Sequence, residues 1–173
     1  NTYKESRFLP EWASPGHRDC MVGNNSASVV ADAYIKGLQG YDIELLWEAL
    51  KHGANDQLKG TASGRVAFEA YNRLGYVPNN IGVGQNVART LEYAYNDWCI
   101  YTLGKKLGKP DSEIEIYKQR SLMYTTRRKN SWSGKTIGEN SILVSVPRIG
   151  AAIFAKGTVG IGVSACSTTR KGS

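Results

Sequence analysis

The sequence predicts an all-α fold over its first 125 residues, a succession of antiparallel helical hairpins, followed by an irregular tail. Three observations predict it. Apolar residues recur at three- and four-residue spacing, nothing before Tyr124 alternates with period two, and the periodic stretches are separated by short Gly, Pro and Asn loops. At 173 residues the chain is long enough for one domain with its own core.

The elements follow in order. "NNSASVVADAYIKG" has small and apolar residues on nearly every side, the pattern of a buried helix, and stops at Gly37. "YDIELLWEALKHG" sets Ile43, Leu46, Trp47 and Leu50 on one stripe, with Asp42 as N-cap and Gly53 as the stop. The loop "ANDQLKGTASG" leads to a short helix around "RVAFEAYNRLG". In "QNVARTLEYAYNDWCIYTLGKKLGKP" the periodic residues are Val87, Leu91, Ala94 and Trp98. Lys105 and Lys106 suit the negative end of that helix dipole, and Gly108 and Pro110 end it. "SEIE", with Ser112 three residues ahead of Glu115, reads as a capping box that opens a further helix.

Charge divides the chain where the helical pattern ends. Residues 1–125 hold 14 Lys and Arg against 14 Asp and Glu. Residues 126–173 hold the other 8 basic residues and one acid, Glu139, so the net +7 belongs to the tail. All ten tyrosines lie at or before Tyr124. A basic tail that includes "TTRRKN" admits a second class of function, a small helical binding module contacting nucleic acid or an acidic partner. The tail is rich in Gly, Ala, Val and Ser without a clean period, which fits weak strands or a disordered arm.

Other classes find little support. Cys20, Cys99 and Cys166 are odd in number and lack C-x-x-C spacing, which favours neither a disulfide framework nor zinc; Cys20 and Cys99 are read as buried thiols. His17 and His52 are too few for a histidine metal cluster, and no apolar run reaches membrane length. The start "NTYKES", without Met or leader, reads as the interior of a longer protein.

The run "LPEWASPGHRDCMVGNNSASVVADAYIKG", with "LGYVP" and "TLEYAYNDWCI", closely resembles glycoside hydrolase family 92, almost continuously over residues 1–124. The resemblance implies a calcium-dependent, inverting exo-α-mannosidase, with Ca²⁺ as cofactor and mannose-containing glycans as substrates. It implies a periplasmic, cell-surface or secreted enzyme with no nucleic-acid partner. By the same resemblance, residues 1–125 are part of an (α/α)6 toroid, an internal slice of the catalytic domain. Such a slice exposes helix faces meant to be covered, so it is expected to fold poorly alone.

The family carries a G-D-F-x-E-G-N-x-W-H motif after the helix that here ends near Tyr124, and the tail as written lacks it. Reading the tail codons one base early, with permitted wobble bases, gives N-W-G-G-D-F-C-E-G-N-S-W-H-W from Ile149 onward. The expectation is a single-base insertion or deletion near the codons for Tyr124–Arg127, with residues 126–173 translated in the wrong frame. The resemblance makes the Glu of E-G-N the general acid. Lys156 stands in its place, so no catalytic residue is assigned and the chain itself is expected to be inactive and to bind no metal.

What remains for substrate is one stretch. In "EWASPGHRD" the Pro15-Gly16 turn sets His17 and Arg18 ahead of a helix. Arg18 can fork onto sugar hydroxyls and Trp12 can face a sugar ring, with His17 beside them. Equally, His17 and Arg18 can bond loop carbonyls and Trp12 can fill core. Glu92, Asp97 and Trp98 lie on a largely apolar helix, where a buried carboxylate serves either catalysis or interhelical hydrogen bonding.

Overall fold

The computed structural model describes residues 2–11, 22–61 and 63–130, with side chains as far as Met123. The tail from residue 131 lies outside these residues, as do Cys20 and Cys166, whereas Tyr124–Arg127, where the frame change is placed, lie in described backbone. The described chain is all-α: α1 Thr2–Ser6, α2 Ser26–Ile35, α3 Ile43–Asn55, α4 Phe68–Leu74, α5 Asn86–Lys106 and α6 Asp111–Asn130. A 3-10 turn spans Asn79–Ile81, and a single antiparallel bridge joins Gln57 to Gly64. The backbone of α6 continues as helix past residue 125, where the charge pattern had drawn a boundary.

α5 is the axis of the unit. Its 21 residues make a rod about 31 Å long, which packs along α6 and α2, with lighter contact to α3. α3 forms as its pattern dictates. Asp42 caps it by accepting the Leu45 amide at 3.0 Å, and Trp47, Ala49 and Leu50 are buried. Gly53 does not stop this helix. It is buried in the last turn, with the Asn24 amide nitrogen 3.6 Å from where a β-carbon would stand, and the helix runs on to Asn55.

Trp47 joins α3 to the start of α6. Its indole N–H donates to Glu113 Oε1 at 2.9 Å, and Lys51 Nζ donates to the same oxygen at 2.6 Å. That lysine hydrogen bond is the main reason the Glu113 carboxyl lies below its usual range. Lys51 and Lys109 also stand over the indole ring, at 5.5 and 5.9 Å from its centroid.

Three expectations are corrected. The buried side of α5 comprises Tyr93, Ala94, Asn96, Asp97, Cys99, Ile100, Leu103 and Gly104, whereas Val87 is exposed and Leu91 and Trp98 are only half-buried. The apolar stripe misplaced that face because its deepest positions include the polar pair Asn96 and Asp97. Likewise α2 is not buried all round: Ala27 and Ala31 face the interior, while Val29 is 66% exposed and Ile35 also faces outward. Ser112, finally, lies inside the first turn of α6, which begins at Asp111 after Pro110. Glu115 pairs with Lys118 instead of closing a capping box.

Gly104 marks the tightest crossing. A β-carbon there would stand 2.6 Å from Ile114 Cγ2 and 2.8 Å from the Trp47 ring. Alanine would gain about 1 kcal/mol in helix propensity, but overpacking of this kind costs about 1–3 kcal/mol, and both neighbours are fully buried and have no room to yield. Gly104→Ala is therefore expected to lower the urea midpoint of the full chain at 10 °C. A midpoint equal to or above wild type would show that the α5–α6 contact is looser than described.

Candidate functional site

Trp12, His17 and Arg18 lie outside the described residues. The carboxylates singled out on α5 are described, and their surroundings decide what each can do.

Asp97 sits in the middle of α5 with no exposure to solvent. Its Oδ1 lies 2.7 Å from Arg65 Nη1, and its Oδ2 lies 3.4 Å from Arg120 Nε. The Tyr71 hydroxyl donates to Oδ2 at 3.2 Å. Burial pushes the Asp97 carboxyl up, while the guanidiniums of Arg65 and Arg120 pull it back. The same burial, reinforced by the Asp97 charge, holds the Tyr71 phenol above its ordinary range.

The network extends outward from each arginine. Arg65 Nε donates to Asn24 Oδ1 at 2.9 Å, and its guanidinium stands over the rings of Tyr71 and Tyr93, which themselves meet edge to face at 5.2 Å. Asn24 donates its backbone N–H to Asn96 Oδ1 at 2.9 Å, and Asn96 Nδ2 donates to Asn25 Oδ1 at 3.2 Å. Arg120, from α6, donates through Nη1 to Asn55 Oδ1 at 3.0 Å and also to Asn72 Oδ1, and it lies over the Tyr117 ring at 4.8 Å. One carboxylate thus ties together the turn before α2, the end of α3, the segment before α4, α4 itself, α5 and α6. One oxygen is ion-paired with Arg65, the other lies between Arg120 and Tyr71, and no solvent reaches the group, so Asp97 ties helices together.

Glu92 differs. It is half-buried, burial alone raises its carboxyl, and its Cβ lies against Gly23, where a β-carbon would come within 2.8 Å of it. Gly23 meets this approach with a left-handed backbone, φ +91°. The Trp98 indole nitrogen is buried without a hydrogen-bond partner, and its ring lies 5.5 Å from Tyr101. Cys99 is a buried free thiol pushed up to about 12, chiefly by burial, which makes it inert. A hollow lined by Thr2, Tyr3, Lys4, Leu9, Pro10, Leu45 and Leu46 lies between α1 and α3, and among the described residues no acid lines it.

Among the described residues no three His, Cys, Asp or Glu side chains come together to hold a metal ion. Nor is any helix of these residues long and apolar enough to cross a membrane.

Sequence reasoning found Asp97 but missed its partners Arg65 and Arg120, and it missed Asn24 and Asn96. One signal was present: Asn96-Asp97 interrupts an apolar helix in mid-length, and such a pair must find partners if that side is buried. Nothing in spacing could have supplied Arg65 or Arg120, whose approach depends on the loop before α4 and on the α5–α6 crossing.

Comparison with known proteins gives this helical array a class. Residues 1–138 match the glycosyl hydrolase family 92 catalytic domain. In structure, the chain is similar to a family GH92 inverting mannosidase from Bacteroides thetaiotaomicron VPI-5482, with TM-score 0.67 and 47% identity over 72% of this chain. In sequence, it is 35% identical over 131 residues, or 70% of the chain, to an uncharacterized secreted glycosidase from Arthroderma benhamiae. The family model and the relatives place it among the glycoside hydrolases. The chain belongs to glycosyl hydrolase family 92. It spans 17% of the length of each of these two relatives.

Removing the central charge tests the network. Asp97→Asn leaves two buried guanidiniums without a counter-charge, which costs about 3–5 kcal/mol. Tyr71→Phe removes one hydrogen bond, for about 1 kcal/mol. In urea titrations followed by circular dichroism with added sucrose, the first variant is expected to lose most of its folded baseline and the second to keep it. Equal, small effects would show that the cluster does not hold the helices together.

Proposed function

We propose that this chain is part of the catalytic domain of an inverting, calcium-assisted exo-α-mannosidase that trims terminal α-1,2-linked mannose from glycans outside the cytoplasm. The observation that carries this reading is the 47% identity, at TM-score 0.67, to an inverting mannosidase. The secreted glycosidase among its relatives supports export.

In this reading the helices of residues 1–125 are part of an (α/α)6 toroid. Their role is to present the stretch that contains Trp12, His17 and Arg18 to the terminal sugar. Arg18 supplies forked donors to ring hydroxyls and Trp12 an apolar face. An inverting enzyme needs an acid and a base about 6.5–9.5 Å apart, with a water between base and sugar. Neither group is assigned to a residue of this chain, and the calcium ligands are assigned to other parts of the whole enzyme.

The tail is read as a frame change near the codons for Tyr124–Arg127. One observation supports it, the switch from a neutral charge balance to one with 8 basic residues against a single acid. The general acid then stands one base away from Lys156, and the chain as written does not hydrolyse mannosides.

Resequencing the gene through those codons is the direct test. An added or missing base is expected, and the corrected full-length enzyme should release mannose from an α-1,2-mannobioside and lose that activity with a calcium chelator. An unchanged gene sequence would overturn the frame reading. A corrected gene whose product releases no mannose would overturn the substrate reading. In the corrected enzyme, Arg18→Ala is expected to lower kcat/KM by roughly 10- to 100-fold, the worth of one or two charge-assisted hydrogen bonds.

A further inference from the structure

Asn24-Asn25-Ser26 is an N-x-S triplet, the acceptor pattern for asparagine-linked glycosylation, and the pattern occurs once in the chain. A sugar so attached is bulky and belongs on the surface, so the pattern ordinarily marks an exposed loop. In this fold the acceptor asparagine is closed off. Asn24 is 1% exposed, and its backbone N–H donates to Asn96 Oδ1 at 2.9 Å, which ties the turn ahead of α2 to the middle of α5.

The reacting atom has the least room. Arg65 Nε donates to Asn24 Oδ1 at 2.9 Å, which fixes the end of the amide that is oxygen. Its Nδ2 faces α3: a β-carbon added at the buried Gly53 would stand 3.6 Å from it, already in van der Waals contact. One added carbon fills that space, so a pyranose bonded to Nδ2 has no place between Asn24 and α3. Turning the amide over offers no escape, because Nδ2 would then meet a guanidinium donor that is itself paired with Asp97. Moving the whole side chain away strips Arg65, which has no exposure to solvent, of an acceptor.

We infer that glycosylation of Asn24 and folding of this helical unit exclude each other. Transfer joins Nδ2 to the anomeric carbon of a lipid-pyrophosphate-linked oligosaccharide. The N–C bond forms, the C–O bond to the pyrophosphate breaks, the lipid pyrophosphate leaves with the bonding electrons, and Nδ2 gives up one proton to a base of the transferring enzyme. An unfolded chain can undergo this step and the folded unit cannot. A chain already modified, in turn, cannot close Asn24 between Arg65 and α3. Export of the whole enzyme then calls for a route on which this transfer does not meet the unfolded chain. That consequence rests on the exported reading above. The exclusion itself does not, and it holds whatever sugar the enzyme cleaves.

The test uses the full chain behind a cleavable export leader, translated into microsomes that carry the transferring enzyme, so that glycosylated and unmodified molecules form side by side. After the membranes are dissolved in mild detergent, both are digested with proteinase K at 10 °C and resolved by mass. The glycosylated chain is expected to disappear at least about tenfold faster, because cleavage follows the population of the open form. Trimming the glycan to its first sugar with an endoglycosidase should not restore resistance, since the clash begins at the first ring. Ser26→Ala keeps Asn24 but destroys the acceptor pattern, and it should be digested at the rate of the unmodified wild-type chain. Equal rates for the glycosylated and unmodified wild-type chains would overturn the exclusion, as would recovery of resistance on trimming. Should the variant fail to fold, the two wild-type populations decide the question alone.

Discussion

The described helices depend on one buried charge. Asp97 has no access to water, and it remains there because two guanidiniums and a phenol take the place of its hydration shell. The same guanidiniums reach onward to Asn24, Asn55 and Asn72, so parts of the chain far apart in sequence share a single electrostatic centre. Apolar packing supplies the bulk of the core, as at Trp47, Leu50, Ile100, Leu103 and Ile114. Packing alone, however, leaves helices free to slide and rotate by small amounts. A multidentate ionic cluster allows one arrangement, because any other strands a buried charge.

This explains why a helix whose apolar stripe looked ordinary is organised around a polar pair. It also separates two meanings of a buried carboxylate in a glycosidase fold. Asp97 is sequestered between two arginines and a phenol, so its perturbed ionisation belongs to architecture. Glu92, by contrast, is half-buried beside Gly23, and burial alone raises its carboxyl. Perturbation of a carboxyl is therefore a weak guide to catalysis until its partners are known.

Much of the fold was legible in the sequence, because helices depend on local chemistry. The Asp42 cap, the stripe on α3, the lysines at the end of α5 and the absence of period-two alternation are all properties of a few neighbouring residues. The failures share a different cause. Gly53 reads as a stop only if its missing side chain is unused, but it sits buried beside Asn24. The deep face of α5 could not be read from apolar spacing, since Asn96 and Asp97 occupy it through partners that only the tertiary fold brings near. Ser112 and Glu115 match a capping pattern, but Pro110 and Asp111 start the helix earlier. The residues proposed to meet the sugar, Trp12, His17 and Arg18, were legible only by resemblance, because their roles depend on groups that a local pattern does not contain.

The outward face of α2 has a consequence beyond folding energetics. Val29, Ile35 and the following Leu38 stand open to solvent on an otherwise ordered unit. To the quality-control machinery of a cell, ordered helices with uncovered aliphatic side chains are difficult to distinguish from an unfinished protein. Chaperones and proteases act continuously on such surfaces, so the amount of a chain is set by the rates of synthesis and triage as much as by its equilibrium stability. For this piece made by itself, the uncovered stretch of α2 is thus a determinant of lifetime.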